Sequence, residues 1–150
     1  MAVLAAPSVL MAIALGAAVG ALGRETVAAL LNPHLDSGGF PLGTLVANLS
    51  GAFLLGLMAT WIDGLIRHRL FRPFWESGLI RSYTTLSTFS LEGLSLIERE
   101  AWGVFVTYAL LSIGGGLLCI TMGERLGGSV ASAHGIEVDD DRRDRVEETL

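Results

Sequence analysis

Apolar residues fall into four long stretches separated by short polar connections. The first runs from about Ser8 to Leu30, the second from about Phe40 to Ile62, and the fourth from about Trp102 to Met122. Each is close to the roughly 20 apolar residues a helix needs to cross a bilayer core. Pro7, just ahead of the first, suits a helix entrance. The third stretch, about Glu76 to Ile97, differs, because Arg81, Glu92 and a dense run of hydroxyl residues interrupt it. Such a segment is either a surface linker or a span covered by protein. Short gaps on both sides, and an even number of crossings that keeps both polar termini together, favour a span. The pattern predicts an all-α membrane protein with four transmembrane helices over residues 1–128. From Ser129 the apolar periodicity stops, and residues 129–150 read as a disordered charged tail.

Composition supports this reading. Hydrophobic residues make up 51% of the 150 and charged ones 17%, below the roughly 25% charge of soluble domains. This excludes a disordered chain, a basic nucleic-acid binder and a disulfide-built secreted domain. The lone Cys119 reads as a small buried hydrophobe. The net charge of −5 is concentrated in the tail, where seven acidic residues after Ile136 face three arginines. Every cation is an arginine, and their placement sets orientation. Arg67, Arg69 and Arg72, with Arg81 close by, follow the second span, and Arg125, Arg142, Arg143 and Arg145 follow the fourth. The opposite side has no cation in Asn32–Gly39, only Arg99 after the third span, and Arg24 near the outer end of the first. The positive-inside rule then places both termini in the cytoplasm, with one orientation only. No Lys or Arg precedes Arg24, so the first stretch reads as a retained span and not as a signal peptide.

Polar groups inside a membrane are costly and mark function or packing. Asn48 sits mid-span, and its amide can bond across to another helix or donate to an anion; interhelical bonding is the commoner role. Tyr108 and Ser112 are four apart and share a helix face, which Gly116 continues. Seven hydroxyl residues lie between Ser82 and Ser90, so the third span is expected to break near its middle. A polar helix buried against its neighbours is the alternative. Freed carbonyls at a break suit a cation, and freed amides suit an anion. Small pairs Gly16/Gly20, Ala47/Gly51 and Ala52/Gly56 recur at helix-crossing spacing. No nucleophile–base pair, phosphate loop or metal-ligand spacing is present, which argues against an enzyme.

Four segments in order carry a resemblance. Gly16-Ala17-Ala18-Val19-Gly20-Ala21-Leu22-Gly23-Arg24 is close to GGxxGAxxR, and Gly43-Thr44-Leu45-Val46-Ala47-Asn48-Leu49-Ser50-Gly51-Ala52-Phe53 is close to GTLxxNxxGxF. Thr84-Thr85-Leu86-Ser87-Thr88-Phe89-Ser90-Leu91-Glu92 stands against TTFSTFxxE, and Tyr108 and Ser112 have the matching spacing. The chain thus resembles the Fluc (CrcB) fluoride channels over almost all of residues 8–127. The resemblance implies an antiparallel two-subunit channel in the cell membrane that lets fluoride leave the cytoplasm passively. It implies that Asn48, Ser87, Thr88, Phe89, Tyr108 and Ser112 line the pore, with Arg24 near its entrance. It also implies a structural sodium ion, not transported, on the backbone carbonyls of Arg81 and Thr84. Arg81-Ser82 replaces a family Gly-Gly, and Leu86 replaces the first of two pore phenylalanines. Together with the single orientation, these departures point to a heterodimer with a homologous, oppositely oriented subunit, a homodimer being the alternative partner arrangement. Competing readings are a non-conducting supporting subunit and a small multidrug-resistance type transporter. The latter needs a carboxylate near the middle of the first span, where only Glu25 beside Arg24 is found, at its end.

Overall fold

The structure is a computed structural model that describes residues 6–32, 39–65 and 69–133. Among these residues all regular structure is helical. Helix α1 spans Pro7–Leu31 and α2 spans Leu42–Leu65. A third helix, α3, runs as a π-helix over Pro73–Ile80 and closes with one α-helical turn, Arg81–Tyr83. Helix α4 covers Leu86–Glu98 and α5 covers Trp102–Ala133. Three helical stretches are long and apolar enough to cross a membrane: Pro7–Leu31, Leu42–Ala59 and Trp102–Ala133. Between α3 and α4 the chain is extended, with φ/ψ of −80°/150° at Thr84 and −149°/124° at Thr85.

Two details differ from the sequence reading. Helix α5 continues to Ala133, past the expected start of the tail, because Gly123, Gly127 and Ala131 form one buried stripe at four-residue spacing. The rest of the tail lies outside the described residues. Arg81, grouped by sequence with the cytoplasmic arginines, instead sits at the α3–α4 interruption, the full length of α3 away from that connection.

Helix α1 packs along α3, and α2 along α5. Glycine makes both crossings possible. A Cβ at Gly16 or Gly20 would overlap the backbone carbonyls of Phe74 and Leu79, and one at Gly78 would lie 2.6 Å from the Ile13 carbonyl. At the second crossing Gly56 meets the Ile120 carbonyl and Gly123 the Phe53 carbonyl. Such close approach supplies the van der Waals contact that drives helix association where lipid gives no hydrophobic force. Large side chains face outward instead, among them Met11, Leu15 and Leu22 on α1 and Leu110, Leu117 and Leu118 on α5. The buried centre is small: Leu45, Leu96 and Tyr108, flanked by Phe40, Leu49, Phe89, Val104 and Phe105.

Helix α4 ends in a tight reversal. The Ala101 amide donates to the Leu96 carbonyl and the Glu100 amide to the Ile97 carbonyl, both at 2.9 Å. This pattern needs a left-handed residue, which is Glu100 at φ 58°. Two opposite outcomes are expected in thermal unfolding of the detergent-purified protein. Glu100→Gly gains roughly 0.5–1 kcal/mol, the left-handed strain relieved less the added chain entropy. Gly56→Leu loses about 1–3 kcal/mol or more by forcing α2 and α5 apart.

Candidate functional site

An interrupted helix leaves backbone groups without helical partners, and at membrane depth each needs a substitute. Asn48 of α2 supplies two of them. Its Nδ2 donates to the Thr85 carbonyl at 3.0 Å, and its Oδ1 accepts the Thr85 amide at 2.8 Å. The side chain thus pairs with the main chain as an adjacent strand would. Arg24 of α1 donates from Nη1 to the Ser82 carbonyl at 3.0 Å, while Nε and Nη2 turn to Glu25 Oε1 at 3.3 and 3.2 Å. The Thr85 hydroxyl caps α4, accepting the Thr88 amide at 3.1 Å and donating to Thr88 Oγ1 at 3.0 Å. Ser87 Oγ lies 3.1 Å from the same hydroxyl. The Tyr83 hydroxyl meets Ser50 Oγ at 3.1 Å, and its ring lies in the space left by Gly23 and Gly51.

Among the described residues the carbonyls of Arg81, Tyr83 and Thr84 remain, and the first and last are the pair the resemblance singles out. In a continuous helix the Arg81 oxygen would accept from the Thr85 amide and the Thr84 oxygen from the Thr88 amide. Both amides are committed elsewhere, and no other described donor reaches either oxygen. Free carbonyls flanking an unwound turn have the chemistry to hold a small cation such as sodium. The exposed Arg81 side chain, which makes no hydrogen bond or ion pair with the described residues, adds a fixed positive charge on one of the same two residues. The site fits sodium in its oxygens and not in its charge.

A second cluster lies one turn away. Tyr108 of α5 is fully buried. Its hydroxyl donates to Glu92 Oε2 at 2.7 Å, and Thr44 Oγ1 of α2 donates to Glu92 Oε1 at 2.8 Å. One carboxylate therefore joins α2, α4 and α5. The Phe89 ring lies 4.9 Å from the Tyr108 ring, inclined by 44°, and Phe40 meets Tyr108 edge-on at 5.6 Å. Thr44 and Asn48, four apart on α2, connect the two clusters.

The structure thus gathers Arg24, Asn48, Thr84, Ser87 and Thr88 around the interruption, and Phe89 with Tyr108 in the second cluster. Ser112 stands one turn beyond Tyr108, its Oγ buried with no partner among the described residues. Gly115, not Gly116, faces α2 at Leu49. Sequence reasoning missed the Thr44–Glu92–Tyr108 set. Two signals pointed to it: the i, i+4 spacing of Thr44 and Asn48, and the need of a buried tyrosine hydroxyl for an acceptor. Asn48 carries two N–H groups and spends one on Thr85, while the Thr88 and Ser112 hydroxyls donate to no described group. These three donors are uncommitted among the described residues.

Apolar outward faces and polar groups gathered inside define a multi-pass helical membrane protein. The sequence model of one family, described as CrcB-like protein, Camphor Resistance (CrcB), matches residues 11–124, and the chain belongs to that family. A fluoride-specific ion channel FluC of Deinococcus radiodurans is 38% identical over 115 residues, 77% of this chain and 91% of its own length. Another of the same name from Aromatoleum aromaticum is 37% identical, covering 75% and 86%. A fluoride-specific ion channel FluC 1 of Staphylococcus aureus is 37% identical, covering 78% and 94%. The multidrug-transporter reading falls with this assignment.

Because Asn48 closes both backbone groups of Thr85, Asn48→Ala is expected to destabilise the purified protein by about 1–3 kcal/mol, the cost of a buried unpaired amide. Tyr108→Phe is expected to lose about 1.5–3 kcal/mol through the Glu92 bond. Thermal unfolding in detergent reads both.

Proposed function

We propose that this chain is a subunit of a fluoride channel that lowers cytoplasmic fluoride by passive efflux across the plasma membrane. The observation that carries this is that the family's sequence model matches residues 11–124, which hold every residue of the two clusters, while relatives named as fluoride-specific channels match 75–78% of the chain. It is an ion-conducting role and not an enzymatic one. In this reading α3 and α4 form a single interrupted crossing, the fourth beside α1, α2 and α5, and both termini are cytoplasmic. Two such subunits pair in antiparallel orientation. The arginine bias of this chain favours a homologous, oppositely oriented partner over a second copy.

Fluoride is small and strongly hydrated, so a narrow path must replace its water with aimed donors. The second N–H of Asn48 and the hydroxyls of Thr88 and Ser112 supply such donors without a counter-charge to trap the ion, and Ser87 lines the same path with its hydroxyl proton turned to Thr85. Phe89 offers a positive ring edge, and Tyr108 holds the ring and the Glu92 carboxylate in place. Arg24 positions the end of α3 by its bond to Ser82. A sodium ion, if bound on the Arg81 and Thr84 carbonyls, would tie two interruptions together.

Fluoride-electrode efflux from liposomes tests this reading. Replacing Asn48 or Ser112 with Ala is expected to slow efflux about tenfold or more, as removal of one donor to an ion predicts. One observation favours a second reading, in which this chain supports a partner's pore. Leu86 is 76% exposed and aliphatic where the resemblance implies an aromatic ring. Unchanged efflux from an intact complex would favour that reading.

A further inference from the structure

Among the described side chains at the interruption, Arg81 carries a charge that the fluoride path does not use and no described residue pairs. It is exposed and bonded to no described residue. Helix α4 extends beyond it by 13 residues, about 20 Å, and α3 precedes it on the other side. By helix rise, a guanidinium here stands about 12 Å from one end of the crossing and about 20 Å from the other. That is farther than an arginine can snorkel to reach the headgroups, so lipid is a poor occupant. Beside it, the Arg81, Tyr83 and Thr84 carbonyls accept from no described donor. Those oxygens are free because the helix is interrupted, and a homologous subunit interrupted at the same place presents its own set.

We propose that Arg81 is a built-in cation for the subunit interface, its guanidinium docking onto the unpaired interruption carbonyls of the opposing subunit in place of a free sodium ion. The proposal rests on the two-subunit reading above. A guanidinium offers five N–H donors in a fixed fork and no acceptor, which suits a cluster of carbonyl oxygens. It also sets the number of arginines per pair. Two copies of this chain would bring two guanidinium groups to one crossing, whereas a partner with a small residue at that position accepts one. The opposing subunit is therefore a homologue without a cation there.

Native mass spectrometry of the tagged, full-length chain, purified from its own membranes with the subunit it holds, tests this. Samples are compared in sodium and in N-methyl-D-glucamine buffers. The wild type is expected to show the same two-subunit mass in both. Arg81→Gly is expected to lose that mass without sodium and regain it when sodium is restored, and Arg81→Lys to retain part of it without sodium. A wild-type complex that comes apart without sodium would overturn the proposal and leave the two-subunit reading standing, and this comparison needs no variant. An Arg81→Gly complex indifferent to sodium would also overturn it. A one-subunit mass in every buffer would overturn both the proposal and the two-subunit reading.

Discussion

The Asn48 amide is the interaction on which the candidate site depends. Where α3 gives way to α4, the amide and carbonyl of Thr85 have no helical partner, and Asn48 satisfies both. Without that pairing, both backbone groups of Thr85 would lose the only described partners they have. With it, the extended pair Thr84–Thr85 becomes a fixed feature that presents free carbonyls on one side and the capped start of α4 on the other. The two readings of Asn48 that the sequence leaves open are compatible. A primary amide has one acceptor and two donors, and the interruption consumes only one of those donors.

Much of this was legible from residue order. Long apolar runs announced α1, α2 and α5, because lipid-facing helices cannot hide their composition. Gly16 and Gly20 sit at the predicted spacing, and they meet α3 as such a pair should. The extended residues Thr84 and Thr85, between α3 and α4, fall inside the hydroxyl run from Ser82 to Ser90. The reach of Arg24 to Ser82 was not legible, since a contact across 58 residues has no local signature. Thr44–Glu92–Tyr108 was hidden for the same reason, its members coming from three helices. Arg81 stands at the far end of α3 from Arg72, a separation set by where α3 starts and not by the charge pattern.

Opposite demands meet within a few residues. The uncommitted donors of Asn48, Thr88 and Ser112 suit an anion, while the free carbonyls of Arg81 and Thr84 suit a cation. A broken helix provides both in one place because its new ends carry opposite partial charges. Side chains then assign each end: the Thr85 hydroxyl closes one amide, Asn48 closes a second, and no described residue closes the Arg81 and Thr84 carbonyls.

The glycine crossings have a consequence for how this protein can change over time. Between α1 and α3, main-chain atoms of one helix touch main-chain atoms of the other at Gly16, Gly20 and Gly78. The distance between the helices is therefore set by the peptide unit, which no substitution alters. Side chains on the outer faces can drift with the lipid they meet, and the gap that positions Arg24 over Ser82 stays the same. The bundle carries its own ruler, with gradations that are not encoded in any side chain.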